Sequence, residues 1–127
     1  MSPRNSKPTS LPPLSPFPMS LPGKKLGILL STAPDDPGFH EGIRVAANAL
    51  AAGAKVYLYC IDEAVAGVAN ATLQSLREHG LILYACAYAA KRRGLPINDL
   101  ATYAGLGVLG DLLAGTDEFI GFNGETE

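Results

Sequence analysis

The chain is predicted to fold as a doubly wound α/β domain: a mostly parallel, five-stranded sheet flanked by helices. Three observations carry this prediction. Short, nearly all-apolar runs recur along the chain, as in strands buried on both faces of a parallel sheet. Segments whose apolar residues recur at helical spacing separate those runs. Glycine and proline fall at the changeovers, where they punctuate the backbone. Regular alternation of this kind implies βαβ crossovers and helices on both sides of the sheet.

Leu26-Gly27-Ile28-Leu29-Leu30-Ser31 is the first strand. Thr32 to Gly38 is a loop, with Asp36 placed to cap a helix and Pro37 at its first position. From Phe39 to Ala52 the residues Ile43, Ala46, Ala47, Leu50 and Ala51 mark one helical face, and Gly53 ends it. Ala54 to Ile61 is the second strand, and Asp62 to Asn70 a loop of small residues. Thr72 to His79 is a short helix stopped at Gly80. Leu81 to Ala85 is the third strand, and Tyr88 to Arg93 a helix stopped by Gly94. Leu95-Pro96-Ile97 reads as a short edge segment, Val108 to Ala114 as the last helix, and Glu118 to Phe122 as the last strand. The expected architecture is a flavodoxin-like three-layer sandwich, whose function gathers beyond the carboxyl ends of the strands. Thr32 to Phe39, Cys60 to Ala66 and Cys86 to Tyr88 are expected on that edge.

The domain occupies residues 24–123. Residues 1–23 differ sharply: seven of the ten prolines lie there, with serines between them. Such a segment buries no core and forms no ladder, so it reads as a disordered Pro/Ser-rich tail. Met19 opens MSLPGKKLGILLS, a natural domain start. Residues 124–127 read as a short C-terminal tail.

Composition excludes several functions. The net charge is −2 and no basic block exceeds Lys91-Arg92-Arg93, which gives no support for nucleic-acid binding. No apolar stretch approaches the roughly 20 residues that span a bilayer. Two cysteines make no disulfide framework, and a reducing cytoplasm is the simplest setting. No spaced Cys/His group points to zinc. Gly105-Leu106-Gly107-Val108-Leu109-Gly110 matches GxGxxG, but it follows no core strand and is not a cofactor fingerprint. Its glycines are expected to allow a turn and close helix packing. Asp35 and Asp36 suit a turn and a cap better than a phospho-receiver site, because the end of the third strand holds Cys86 where a receiver has its aspartate. His79 is expected to help end its helix.

Cys86 is the candidate for a residue that carries chemistry. It stands where a strand ends and a helix begins, and helix-start N–H groups lower a thiol from about 8.5 to roughly 3.5–7.5. Free cysteine is also among the most buried residue types, so position alone leaves reactive thiol and core filler both open. Arg93 shares the face of Cys86, but about 10 Å along the axis at about 1.5 Å per residue, too far for contact within one chain. Cys60 ends the second strand and reads as packing. In the strand order 2-1-3 the two cysteines would flank the first strand, about 9–10 Å apart. That exceeds the limit of about 7 Å for a disulfide.

The segments YLYCIDEAVAGV, LILYACAYAAKRRGL and GLGVLGDLLAGTDEFIGF together resemble the DsrE/DsrF (TusD-like) family of small sulfur-relay proteins. The strand-Cys-helix-Arg-Gly-Leu segment is the most specific part of the likeness. There Cys86 matches the family's persulfide-carrying cysteine. The resemblance implies a sulfur carrier that takes sulfur from a donor protein and passes it to an acceptor protein, working as a homo-oligomer, trimer or hexamer. No metal or organic cofactor is required. Tyr88, Arg92 and Arg93 on the following helix, with His40 and Asp62 on the same edge, are candidates for thiolate support or for the pocket wall. Tyr84, Tyr88 and the alanines are expected to shield the sulfur. Two alternatives remain beside this reading: a non-catalytic oligomeric domain that binds a ligand or partner at the same edge, and a thiol redox sensor.

Overall fold

The structure is a computed structural model that describes residues 22–122. The segments read as tails therefore lie outside the described residues, apart from Pro22 and Gly23. Five strands form one all-parallel sheet: β1 (Lys25–Leu30), β2 (Lys55–Cys60), β3 (Ile82–Cys86), β4 (Thr102–Ala104) and β5 (Glu118–Phe122). Four α-helices connect them: α1 (Pro37–Ala51), α2 (Ala71–Glu78), α3 (Ala87–Arg92) and α4 (Leu106–Gly115). The predicted fold class is the one observed.

The strand order is β4-β3-β2-β1-β5. The chain thus steps outward from β1 through β2 and β3 to β4, then crosses back to the far side of β1. This replaces the expected 2-1-3 order. Cys60 and Cys86 lie on adjacent strands, not on either side of β1. The fourth strand is also displaced from its predicted place. Residues 95–97 are irregular, and Thr102–Ala104 pairs with the end of β3 instead. A further helical piece, the 3-10 turn Asp62–Gly67, stands where a loop was expected.

Strand alternation divides the sheet into two unlike faces. Leu26, Ile28, Leu30, Val56, Leu58, Cys60, Leu83 and Ala85 point to one side and are all buried. Helix α1 covers β1, β2 and β5 there, and α2 covers β3. Helix α1 begins as its sequence dictates. The Asp36 carboxylate accepts the Gly38 N–H at 2.7 Å and Pro37 occupies the first turn. The other side carries Gly27, Leu29, Tyr57, Tyr59, Tyr84 and Cys86 and is covered by α4, from which only Leu112 is fully buried. Several of these residues stay partly exposed.

The 3-10 turn is fitted to the core through Gly67. A Cβ there would lie 2.8 Å from Phe39 Cε2 and 3.0 Å from Pro34 Cγ. The Phe39 ring is fully buried and cannot swing away. Gly67→Ala is therefore expected to destabilise the domain by about 1–3 kcal/mol, an overpacking cost, read as a lower denaturation midpoint at unchanged m-value.

The GxGxxG segment also differs from its expected role. Gly105 caps α4 and Gly107 and Gly110 lie in it, but a Cβ on any of the three meets nothing within 4 Å. Among the described residues no element packs closely against them.

Candidate functional site

The apolar run of β3 brings Cys86 to the carboxyl edge of the sheet. Its backbone is still extended, with φ −73° and ψ 117°, while its side chain already caps the next helix. Cys86 Sγ accepts the Ala89 N–H at 3.4 Å. Helix α3 follows because AYAAKR is rich in strong helix formers. Lys91 and Arg92 occupy its last turn, where cations suit the negative end of the dipole. Gly94, at φ +67°, ends it in a left-handed conformation that few other residues adopt readily.

The thiol is nevertheless 2% exposed. Its polar neighbour is Tyr59, a residue that the sequence did not mark. The Tyr59 hydroxyl donates toward the carbonyls of Ala104 (3.2 Å) and Gly105 (3.0 Å) and so ties the β4–α4 turn to the centre of the sheet. Burial, and then the adjacent Cys86 thiol, push this phenol up to about 12. The Tyr59 ring stacks on Tyr84 at 6.2 Å between centroids. Ala104 is itself the ladder partner of Cys86. Tyr59, Tyr84 and the β4–α4 turn thus wall in the sulfur. Tyr88, expected in that wall, is 65% exposed and turned toward Arg92.

Cys60 is a different kind of thiol. It pairs with Ala85, so Cys86, one residue further on, faces the opposite side of the sheet. Both cysteines are free, and the sheet itself lies between their side chains. Burial alone pushes the Cys60 thiol up to about 12. This is the packed cysteine that the sequence reading expected.

Four of the other predicted site residues come together. Asp62, Tyr88, Arg92 and Arg93, with Ala89, line an open cleft of about 420 Å³ between the 3-10 turn and α3. Arg92 Nη1 donates to the Tyr88 hydroxyl at 3.2 Å, and its guanidinium lies 5.7 Å from the centre of that ring. Asp62 adopts φ +54°, a left-handed backbone rare outside glycine, asparagine and aspartate. The cleft and the thiol meet at Ala89, whose side faces the cleft while its N–H bonds the sulfur. His40 is not part of this group. It is exposed on α1, with its ring edge-on to Phe39. His79 caps α2 and its Nδ1 meets the Ser75 carbonyl at 2.8 Å, the helix-ending role expected of it. Among the described residues no three His, Cys, Asp or Glu side chains converge as metal ligands do. No helix there is long and apolar enough to cross a membrane.

Comparison with known proteins places the fold. No curated protein matches the chain. Four solved chains match its fold. One is the crystal structure of the YchN protein from E. coli, with a TM-score of 0.67 and 18% sequence identity. The match covers 78% of this chain and 99% of that one. At that identity the likeness speaks for the fold alone. The model of the DsrE/DsrF-like family matches residues 24–122, from the start of β1 to the end of β5. A parallel sheet with a helix-capping cysteine at its carboxyl edge, matched by that model over nearly the whole domain, makes this chain a member of the DsrE/DsrF-like family.

Proposed function

We propose that this protein is a cytoplasmic sulfur carrier that accepts and passes sulfur as a persulfide on Cys86. The observation that carries the reading is the position of Cys86. In a chain of a sulfur-relay family, its sulfur caps α3 at the functional edge of the sheet and accepts a backbone N–H. The transfer chemistry uses the thiolate form of this sulfur. In loading, that thiolate attacks the outer sulfur of a donor persulfide. The donor's S–S bond breaks, its thiolate leaves, and Cys86 holds the outer sulfur. In unloading, an acceptor thiolate attacks that outer sulfur and Cys86 departs as thiolate. No net oxidation occurs, and no cofactor is needed.

The buried thiol needs a route to its partners. The wall that costs least to move is the β4–α4 turn. Strand β4 is three residues long and lies at the sheet edge, and the turn is tied inward by the Tyr59 hydroxyl. Docking of a donor protein against this edge would displace it. The test is incubation with a persulfide-charged donor, followed by intact-mass measurement with and without reductant. Gain of one sulfur atom, removed by reductant, supports the carrier. An unchanged mass supports the second reading, which the 2% exposure of Cys86 favours. In that reading the cysteine is packing, and the edge binds a ligand or partner without sulfur chemistry.

The carrier is further proposed to be a homo-oligomer, trimer or hexamer, joined through α4. Leu106 and Leu113 are each 56% exposed, and the glycines between them present open backbone. Ile82, on the same sheet face, is also exposed. An apolar face of this kind marks an association site. Sedimentation at micromolar concentration is expected to show an assembly of identical chains, and Leu106→Asp with Leu113→Asp to reduce it to monomer. A wild-type monomer of 13.2 kDa would refute the assembly.

A further inference from the structure

The polar cleft beside α3 enters none of the sulfur steps written above, and its exposed side chains converge on one volume. Arg92 and Arg93 are consecutive, yet both line the same cavity. Among the described residues neither guanidinium has a carboxylate within ion-pair distance; the one ion pair there joins Arg44 and Glu41 on α1. Arg92 is held in place from below by the Tyr88 hydroxyl and ring. Two cationic forks, one of them hydrogen-bonded to Tyr88, therefore face the open cleft with neither in an ion pair among the described residues. Across the cleft stands Asp62, on a left-handed backbone at the carboxyl end of β2. That carboxylate adds an acceptor to a set otherwise made of donors.

We infer that the Asp62–Tyr88–Arg92–Arg93 cleft is a binding site for a small phosphate monoester that carries an amine or hydroxyl group. The charge decides the oxyanion. A phosphate monoester is close to dianionic at neutral pH, with a second pKa near 6, and so matches two guanidiniums where a single carboxylate would match one. Arginine offers paired N–H donors that fit phosphate oxygens. Asp62 decides the other end, since it repels a bare anion and accepts from an ammonium or hydroxyl. The volume of about 420 Å³ lies within the range of about 300–1,000 Å³ usual for small-molecule sites. The place is also the one where open parallel sheets take ligands, beyond the carboxyl ends of neighbouring strands. The inference stands whether or not Cys86 carries sulfur, because the cleft shares only Ala89 with the thiol.

The test is calorimetric titration of the full chain with O-phosphoserine and, separately, with inorganic phosphate. O-phosphoserine is expected to bind one per chain and more tightly than phosphate. Arg92→Ala and Arg93→Ala should each weaken it about tenfold or more, as loss of charge-assisted hydrogen bonds does. Both residues are exposed, so neither change threatens the fold. Asp62→Asn should leave phosphate binding intact or improved and abolish the preference for O-phosphoserine. Absence of saturable O-phosphoserine binding to the wild type would overturn the site. So would binding that survives both arginine substitutions. Equal affinity for the two probes, unaltered by Asp62→Asn, would overturn the role of the carboxylate.

Discussion

Cys86→Ser is expected to abolish sulfur loading while the domain stays folded, and Cys60→Ala to leave loading at the wild-type level. This is the sharpest outcome expected of the carrier, because one atom separates complete activity from none. Serine keeps the helix cap: its oxygen accepts the Ala89 N–H that Cys86 Sγ accepts now. The stability change should stay within about 1 kcal/mol, since a good N-cap residue replaces a weak one at nearly the same volume. Cys60 cannot substitute for the lost thiol. It faces the α1 side of the sheet, is fully buried, and holds its proton to about pH 12. Intact-mass measurement of the three proteins after exposure to one persulfide donor checks the prediction. Loading of Cys86→Ser, or its loss in Cys60→Ala, would remove Cys86 from the mechanism. The same proteins distinguish a burial-only role: if Cys86 merely packs, the wild type gains no sulfur either.

The parts of the fold that could be read from sequence are those where burial writes a pattern. Strands β1, β2 and β3 lie inside the sheet or next to its centre, and their apolar runs announce them. Helix α1 carries its own start signal in Asp36-Pro37 and its own stop in Gly53. Strand β4 was misplaced because three residues at a sheet edge, none of them fully buried, are too few to show a period. The strand order was not legible either. Each strand of a parallel sheet reads alike, and the choice between neighbours is made by crossovers that leave no local mark. In the site, Cys86 at a strand–helix seam was visible, and so were Tyr88 and Arg92 as candidates on the following helix. Tyr59 was not, because its hydroxyl acts 45 residues away in the chain, on Ala104. One signal was available: Tyr57 and Tyr59 alternate in β2 with Val56 and Leu58, which assigns the polar-tipped rings to one face. Which partner that face would meet depended on the unseen strand order.

Raising the pH from 9 toward 12 is expected to remove roughly 4 kcal/mol of folding stability through Cys60 alone. The side chain sits on the buried α1 face, where burial disfavours the thiolate and pushes the thiol from 9.0 up to about 12. The unfolded chain has no such restraint. Below about pH 9 both states are protonated and the contribution is fully present. Between about pH 9 and 12 the unfolded state loses its proton while the folded state keeps it. The unfolded state then binds fewer protons, so stability falls as pH rises. Three pKa units correspond to roughly 4 kcal/mol, a large share of the 5–15 kcal/mol typical of a whole domain. Tyr59 acts with the same sign, since its phenol is also held up to about 12. Denaturant melts of wild type and Cys60→Ala between pH 7 and 11 separate the thiol from every other titrating group, because the two proteins share all the rest. At pH 7 the variant should be less stable by about 1 kcal/mol, the cost of a small deletion in the core. Its stability should then decline less steeply, so that the two curves cross near about pH 10 and the variant is the more stable protein beyond it. Parallel curves would show that the Cys60 thiol ionises as easily in the folded protein as in the unfolded chain, and that water reaches the end of β2.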